Sequence, residues 1–318
     1  VNLDFKDNIL DESIIGNSNI INNLRLQLKK LSSFLNRILI VGKPGTYKKR
    51  IAKLIHDSSK YANFPFYNFD CSTEDNLEYK LFGQENKDTI LQGLIEKCSP
   101  GTLFFNNISN LPIYIQKQLV YVLQNQTIRR INGQNDINIK TRFLASSSKD
   151  INNELITGKL EKSLYNRIGI TKIVVPSLSE RVSDIPDICN FLMQNISYKL
   201  NINPPTLSDD TIAIMQSYDW PGNIAELKNI LESILKTRHS AIIKIDDLPK
   251  HMISSVQTCL GFCPKIMQMS LKDARKEFEK GYITMQLKRF ENNITKTAEF
   301  IGMERSALYR KIKELNID

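Results

Sequence analysis

The feature that most restricts this chain is a junction of three elements around residue 42. Ile38-Leu-Ile-Val is an unbroken apolar run of strand length. It enters a turn at Gly42-Lys-Pro-Gly45, and residues 48–59 continue with apolar positions at helical spacing. A strand apolar on both faces must be covered on both sides, which is the situation of a strand inside a parallel sheet. Further apolar strands are predicted at Phe66–Phe69, Thr102–Phe105, Arg142–Ser146 and Ile170–Val175, separated by helical stretches such as Ile113–Gln124. Alternating strands and helices predict an α/β fold with a mostly parallel sheet. Ahead of it, Asn19–Leu35 is an amphipathic helix with Ile20, Leu24, Leu28 and Leu31 on one face.

The turn after the first strand has the outline of a phosphate-binding loop. Such a loop needs glycines so that backbone N–H groups can wrap the phosphates, and a lysine for the terminal ones. Gly42 and Lys48 stand at that spacing, with Gly45 and Thr46 between them. The second required glycine is Tyr47, whose side chain strains the turn or obstructs the phosphate path. Lys49 stands where a hydroxyl is needed. Nucleotide hydrolysis also needs acids at the end of a neighbouring strand, to hold Mg²⁺ and polarise water. Here the strand Gly101-Thr-Leu-Phe-Phe105 ends in Asn106-Asn107, and amides carry no charge and do not act as bases.

After Pro176 the predicted strands stop. Residues 184–237 read as helices broken at Pro204-Pro205 and Trp220-Pro-Gly, and 253–270 have no periodicity, as a linker would. The last segment turns helical and charged. Leu271, Ala274, Phe278, Ile283, Leu287 and Phe290 form a stripe that needs a partner surface. Asn292-Asn293 breaks that helix, Thr295 is the expected cap of a short helix through Ile301, Gly302 makes a turn, and a second helix runs from about Glu304 to Leu315. Ala298, Ile301, Leu308 and Ile312 face inward, leaving Arg305, Tyr309, Arg310, Lys311 and Lys313 outside. Helix, glycine turn and helix with a basic outer face is the layout of a helix-turn-helix. Arg305 suits the two major-groove acceptors of guanine, while Arg310, Lys311 and Lys313 suit phosphates.

Composition narrows the partners. Lys+Arg 43 against Asp+Glu 34 leaves a net charge of +9, which favours a polyanion. No apolar run approaches the roughly 20 residues of a membrane span, and the opening residues lack a signal layout, so a cytoplasmic protein without a membrane partner is expected. The scattered Cys71, Cys98, Cys189, Cys259 and Cys263 read as reduced thiols. Cys259, Cys263 and His251 do not make the four closely spaced ligands of structural zinc, so no metal is expected. His56, His239 and His251 have no catalytic motif around them.

Two longer resemblances sit on these motifs. LKDARKEFEKGYITMQLKRFENNITKTAEFIGMERSALYRKIKELNI resembles the C-terminal domain of Fis-type regulators, and ITKTAEFIGMERSALYRKIK resembles the NtrX branch of the NtrC family. The resemblance implies a dimer of long first helices through 271–290. It also implies DNA-facing positions at Glu304, Arg305, Ser306, Ala307, Tyr309 and Arg310, Glu304 being a departure that accepts from cytosine or caps the helix. The segments IIGNS, PFYNFDCS, LFGQE, GTLFFNNISNLPIYIQ, VPSLSERVSDIP and WPGNIAELKN resemble the AAA+ domain of sigma-54 activators. By that resemblance Ile15, Gly16, Gly42, Gly45, Thr46 and Lys48 would touch ATP or ADP, the sensor falls on Ser147 or Ser148, and one arginine finger matches Arg167. The second finger falls on Glu161, the lid arginine on Ala225, and family members read Asp-Glu at Asn106-Asn107. The GAFTGA sequence that contacts the sigma factor is absent from ENKDTILQGLIEKCSPG, as it also is in NtrX-like proteins.

The expected organisation is a linker remnant at 1–12, an AAA+ α/β subdomain at 13–176, a helical lid at 177–252, a linker at 253–270 and a Fis-type DNA-binding and dimerisation domain at 271–318. About 12 residues precede the AAA+ match, whereas a receiver domain needs roughly 120, so the chain is either part of a longer protein or free of phospho-control. The expected function is a bacterial, sequence-specific DNA-binding regulator that binds double-stranded promoter DNA, its AAA+ domain having lost hydrolysis. RNA polymerase and a separate receiver or histidine kinase are the further partners considered. The alternative is an activator that still binds and hydrolyses ATP.

Overall fold

The computed structural model describes residues 14–32, 37–72, 76–86, 89–148, 150–237, 241–253 and 270–317. In chain order the elements are α1 (Asn19–Ser32), β1 (Ile38–Val41), α2 (Lys48–Asp57), β2 (Phe66–Asp70), α3 (Leu77–Phe82), β3 (Gly83–Glu85), β4 (Ile90–Gln92), α4 (Leu94–Lys97), β5 (Gly101–Asn106), α5 (Ile113–Asn125), β6 (Thr127–Arg129), β7 (Asp136–Asn138), β8 (Thr141–Ser147), α6 (Ile151–Ile156), α7 (Lys162–Ile168) and β9 (Thr171–Val174). There follow α8 (Ile185–Leu200), β10 (Thr206–Leu207), α9 (Asp209–Ser217), α10 (Asn223–Thr237), β11 (Ile242–Ile243), α11 (Leu271–Arg289), α12 (Ile294–Ile301) and α13 (Arg305–Glu314). The chain divides into two compact units, one built on Asn22–Pro176 and one on Ile15–Ile21 together with the residues from Ser177 onward.

The first unit is an all-parallel sheet in the order β2-β5-β8-β1-β9. Strands Ile38–Val41 and Leu103–Phe105 are buried on both faces, which is why they read as continuous apolar runs and do not alternate. One face carries Leu39, Val41, Phe69, Leu103, Phe105 and Phe143 against Ile115, Leu119 and Val122 of α5 and Leu164 and Ile168 of α7. Full burial of each such side chain is worth about 1.5–3 kcal/mol, so this layer dominates the unit's stability. Helix α2 packs on β1, β5 and β8. The resulting arrangement brings Gly42, Asp70, Asn106 and Ser147 to the carboxyl edge of the sheet, where α/β proteins bind ligands. The segment after Phe82 folds as an antiparallel hairpin, β3 with β4. Arg130 clamps it, reaching Glu85 at 2.9 Å and Glu96 at 2.7 Å.

The second unit packs α8, α9 and α10 around Trp220, whose indole N–H donates to the Met215 carbonyl at 2.7 Å. The expectation that strands end at Pro176 is corrected by a two-residue parallel ladder, β10 with β11. So short a pair leaves no alternation to read. Helices α11, α12 and α13 share a smaller core of Ile283, Leu287, Ala298, Leu308 and Leu315. Helix α11 also docks on the lid helices of its unit: Lys288 reaches Asp219 at 3.1 Å and Arg289 reaches Gln216 at 3.2 Å. Residues 1–12, most of the 253–270 linker, Cys259, Cys263 and His239 lie outside the described residues. Among the described residues no helix is long and apolar enough to cross a membrane.

Candidate functional site

The loop from Gly42 to Lys48 keeps its turn although its sequence departs from glycine. A side-chain carbon at Gly42 would lie 2.9 Å from the Thr46 hydroxyl and 3.1 Å from the Val175 carbonyl, so the approach is closed to larger residues. Gly45 adopts φ 77°. Tyr47 adopts φ 57° and ψ 40°, the left-handed conformation that a glycine would hold without strain. Tyr47 is half-buried, and burial raises its phenol above the ordinary value. The Lys48 ammonium is buried and turned back on the loop, donating to the Gly42 carbonyl at 2.8 Å and the Lys43 carbonyl at 3.2 Å. The Thr46 hydroxyl donates to the Lys43 carbonyl at 2.8 Å. Burial pushes Lys48 below the usual lysine value, against the pull of Glu154. Lys49 is exposed.

At the neighbouring strand end Asn106 is fully engaged. Its amide donates to Asp70 at 3.2 Å and accepts from the Ser146 hydroxyl at 3.1 Å. Three adjacent strands each contribute one member. An aspartate at 106 would oppose Asp70 at the same distance, and two carboxylates that close cannot both ionise freely. Asparagine is therefore the residue that fits beside Asp70. Asn107 takes the left-handed conformation at φ 56°, and its N–H donates to Ser146 at 3.0 Å. A second carboxylate at this edge is Glu154 on α6, which accepts from Ser147 at 2.7 Å, Ser148 at 2.9 Å and Ser109 at 3.0 Å. Sequence reading singled out neither Asp70 nor Glu154. Asp70 directly follows a predicted strand, which is a usable signal, but Glu154 meets its serines only through the α6 fold.

Arg167 lies half-buried on the last turn of α7, near enough to Arg37 that its charge helps depress that arginine's pKa, after burial. That is the amino edge of the sheet, opposite the phosphate loop. Glu161 precedes α7, its N–H donating to Gln116 at 2.8 Å, and Ala225 is on α10. In the second unit Gly16 has φ 125°, and a side-chain carbon there would sit 2.4 Å from the Asp184 carboxylate. Asp184 also accepts from the Asn17 N–H at 2.8 Å and from the Ser18 N–H and hydroxyl at 2.8 and 2.6 Å. The Ile15 carbonyl accepts from Arg181 at 3.2 Å. Gly16 thus has a structural reason within its own unit. Among the described residues no group of three His, Cys, Asp or Glu side chains is placed to hold a metal. Burial pushes the Cys98 and Cys189 thiols up to about 12, far from thiolate chemistry.

The hairpin at the end of the chain turns at Gly302, φ 70°. Its first helix is capped by Asn293, whose side chain accepts from the Lys296 N–H at 3.2 Å, and Thr295 is exposed. This corrects the expected Thr295 cap: Glu291 and Asn292 both take left-handed φ, which advances the cap by two residues. Glu304 occupies the N-cap position of α13 without a side-chain cap bond. Glu304, Arg305, Ser306, Tyr309, Arg310 and Lys313 are exposed on one side of the hairpin. The Lys313 ammonium rides 5.0 Å above the Tyr309 ring. Lys311, read as a phosphate contact, is instead half-buried and paired with Glu279 of α11 at 2.8 Å. That pairing holds the Glu279 carboxyl below its ordinary value. The apolar stripe of α11 is divided: Ile283 and Leu287 are buried in the hairpin core, while Leu271 is 87% and Phe278 45% exposed.

A parallel sheet with a phosphate-loop turn, a helical lid and a basic helix-turn-helix defines an AAA+ regulator of DNA. Comparison with known proteins is specific. Residues 14–174 match the sigma-54 interaction domain, 179–259 the AAA+ ATPase lid domain and 274–315 the Fis family of bacterial regulatory proteins. An NtrX-like response regulator of Rickettsia felis is 36% identical over 329 residues, covering 99% of this chain and 69% of that protein. The nitrogen assimilation regulatory protein NtrX of Azorhizobium caulinodans is 35% identical over 314 residues, covering 96% of this chain and 69% of that one. The crystal structure of NtrX from Brucella abortus in complex with ADP matches with a TM-score of 0.86 at 31% identity, covering 99% of this chain and 72% of that chain. The chain belongs to the NtrX-like response regulators, within the sigma-54 interaction domain family, and carries a Fis-type helix-turn-helix.

Proposed function

We propose that this chain regulates transcription by occupying promoter DNA, and that its AAA+ domain no longer hydrolyses ATP. The observation that carries the second half is Asn106, whose amide is committed on both sides at the strand end where an acid would hold Mg²⁺. Each charged transition-state contact is worth about 10²–10⁵ in rate. Losses at Asn106-Asn107, Glu161 and Ala225, with Tyr47 in the loop, leave essentially no turnover. Nucleotide binding is a separate matter. Gly42, Gly45, Thr46 and Lys48 keep the loop's shape, and NtrX of Brucella abortus has been crystallised with ADP and with ATP. ADP or ATP would act here as a structural or sensing ligand, held by those four residues.

For DNA, Arg305 reads a base edge, and Arg310 and Lys313 bind phosphates. Glu304, Ser306 and Tyr309 lie on the same exposed side. The exposed Leu271 and Phe278 support a homodimer through 271–290. A separate receiver or histidine kinase would supply the signal, and polymerase contact would follow from promoter occupancy. The test is ATP binding and turnover by the purified chain with Mg²⁺, with and without DNA. Absence of turnover supports the scaffold reading, and binding without turnover makes nucleotide a ligand. Sustained turnover would overturn the proposal in favour of a remodelling ATPase.

A further inference from the structure

The amino edge of the sheet in the first unit holds a second cavity, of about 300 Å³. Its walls carry three cations, Arg37, Lys140 and Arg142, and no carboxylate among the described lining residues. Tyr61, Leu123 and Phe143 supply apolar surface beside them. The chain builds this place from two neighbouring strands: Arg37 stands just before β1, Lys140 just before β8, and Arg142 is the second residue of β8. β1 and β8 are parallel neighbours with Ile38 opposite Leu144, so Arg37 falls beside the Arg142-Phe143 end of β8.

A comparison within the same unit shows what is unusual. A cavity of similar volume lined by α3, α5 and β6 also holds two arginines, Arg129 and Arg130, with Glu78 in its wall. Those arginines are neutralised, Arg129 by Asp136 at 3.0 Å and Arg130 by Glu85 and Glu96. At the amino edge neither Arg37 nor Lys140 forms an ion pair with a carboxylate among the described residues. Arg37 donates to the Leu123 carbonyl, a neutral partner. Arg142 is 4% exposed, so its charge acts in a poorly solvated wall. Burial lowers the pKa of both arginines, and Arg167 adds to the effect at Arg37. Low-dielectric walls bearing one sign of charge focus the field into the space between them.

We propose that this cavity is a ligand site for a small multivalent oxyanion, separate from the phosphate loop at the opposite edge. Its volume is about ten waters' worth, which suits an anion of about ten non-hydrogen atoms. Phosphorylated and polycarboxylated metabolites share the required chemistry, and pyrophosphate and citrate stand for the two. The site does not depend on nucleotide binding at Lys48.

The test is calorimetric titration of the whole chain with each probe, against sodium chloride at matched ionic strength. The Lys48→Ala, Lys140→Gln and Arg37→Gln variants are titrated alongside. Lys140 is exposed, so Lys140→Gln is expected to fold normally. The proposal expects saturable binding of at least one probe that survives Lys48→Ala and weakens about tenfold in Lys140→Gln, as the loss of one charged hydrogen bond predicts. Arg37→Gln is expected to weaken it at least as much. Binding by neither probe, loss of all binding in Lys48→Ala, or retention of full affinity in Lys140→Gln would each overturn it. Which probe binds more tightly identifies the source of the anion.

Discussion

Tyr47 allows a quantitative test of the loop, because its backbone is held in the left-handed conformation at φ 57° and ψ 40°. Replace it with glycine and, separately, with alanine. Both variants lose the same half-buried ring, so that term cancels between them. Alanine keeps the left-handed penalty, about 1–2 kcal/mol for a residue with a Cβ. Glycine escapes it but has a freer unfolded chain, which costs it about 0.4–1 kcal/mol relative to alanine. The mid-values of the two terms make Tyr47→Gly more stable than Tyr47→Ala by about 0.8 kcal/mol, within a span of about 0–1.6 kcal/mol. For a domain of this size that corresponds to roughly 1–4 °C in Tm, measurable by circular dichroism melts. Lys49 is exposed and lies inside α2, so the same pair at 49 must show the reverse order, since alanine outranks glycine in a helix by about 0.5–1 kcal/mol. Alanine at 47 equalling or exceeding glycine would refute the strained-loop argument. If the ring also obstructs the phosphate path, both Tyr47 variants bind ADP more tightly than the parent.

Glu154→Gln should destabilise the first unit by about 1–3 kcal/mol in urea unfolding, because three serine hydroxyls lose a charged acceptor; an unchanged midpoint would show that the carboxylate holds nothing. Arg305→Ala should erase sequence preference in DNA binding, while Lys313→Ala should weaken all sites alike and reduce the log–log salt slope by about 0.9; preference surviving without Arg305 would move the recognition helix elsewhere. Lys311→Ala should leave that slope nearly intact and cost about 0.5–1 kcal/mol of hairpin stability through Glu279; a fall in slope equal to that of Lys313→Ala would return Lys311 to the phosphate contacts. His56 is buried beside Thr102, and burial, with Lys53, holds its pKa below 6.5. The unfolded chain therefore takes up the proton first, so stability present above about pH 6.5 is lost as pH falls below it. His56→Gln should flatten that part of the stability–pH curve, and an equally steep curve in the variant would assign the loss to another group.

The asparagine pair at this strand end does not come with a weakened fold. The strand that carries Asn106 is buried on both faces from Gly101 to Phe105, and the Asn106 side chain is hydrogen-bonded on both sides. Among the charged residues at this edge, Asp70 and Glu154 lie in hydrogen-bond networks with neutral partners, Asn106 and the serines. Within the second unit α11 contacts the lid helices through Lys288 and Arg289.

Local pattern was enough for the elements with strong periodicity. The apolar runs at 38–41 and 103–105 announced a sheet covered on both sides because burial on two faces removes the polar–apolar alternation of a half-exposed strand. Gly302 announced a turn because a left-handed residue there is cheapest without a side chain. The glycine spacing of the phosphate loop, and its break at Tyr47, were equally legible, since backbone conformation is a local property. What the chain order could not decide was which side chains meet. Glu154 and its serines come together from β8, α6 and the segment after β5; Lys311 finds Glu279 across two helices; and Arg37, Lys140 and Arg142 converge only because β1 and β8 lie side by side. Charge pairing and cavity walls depend on distances between residues far apart in sequence, and only packing sets those distances.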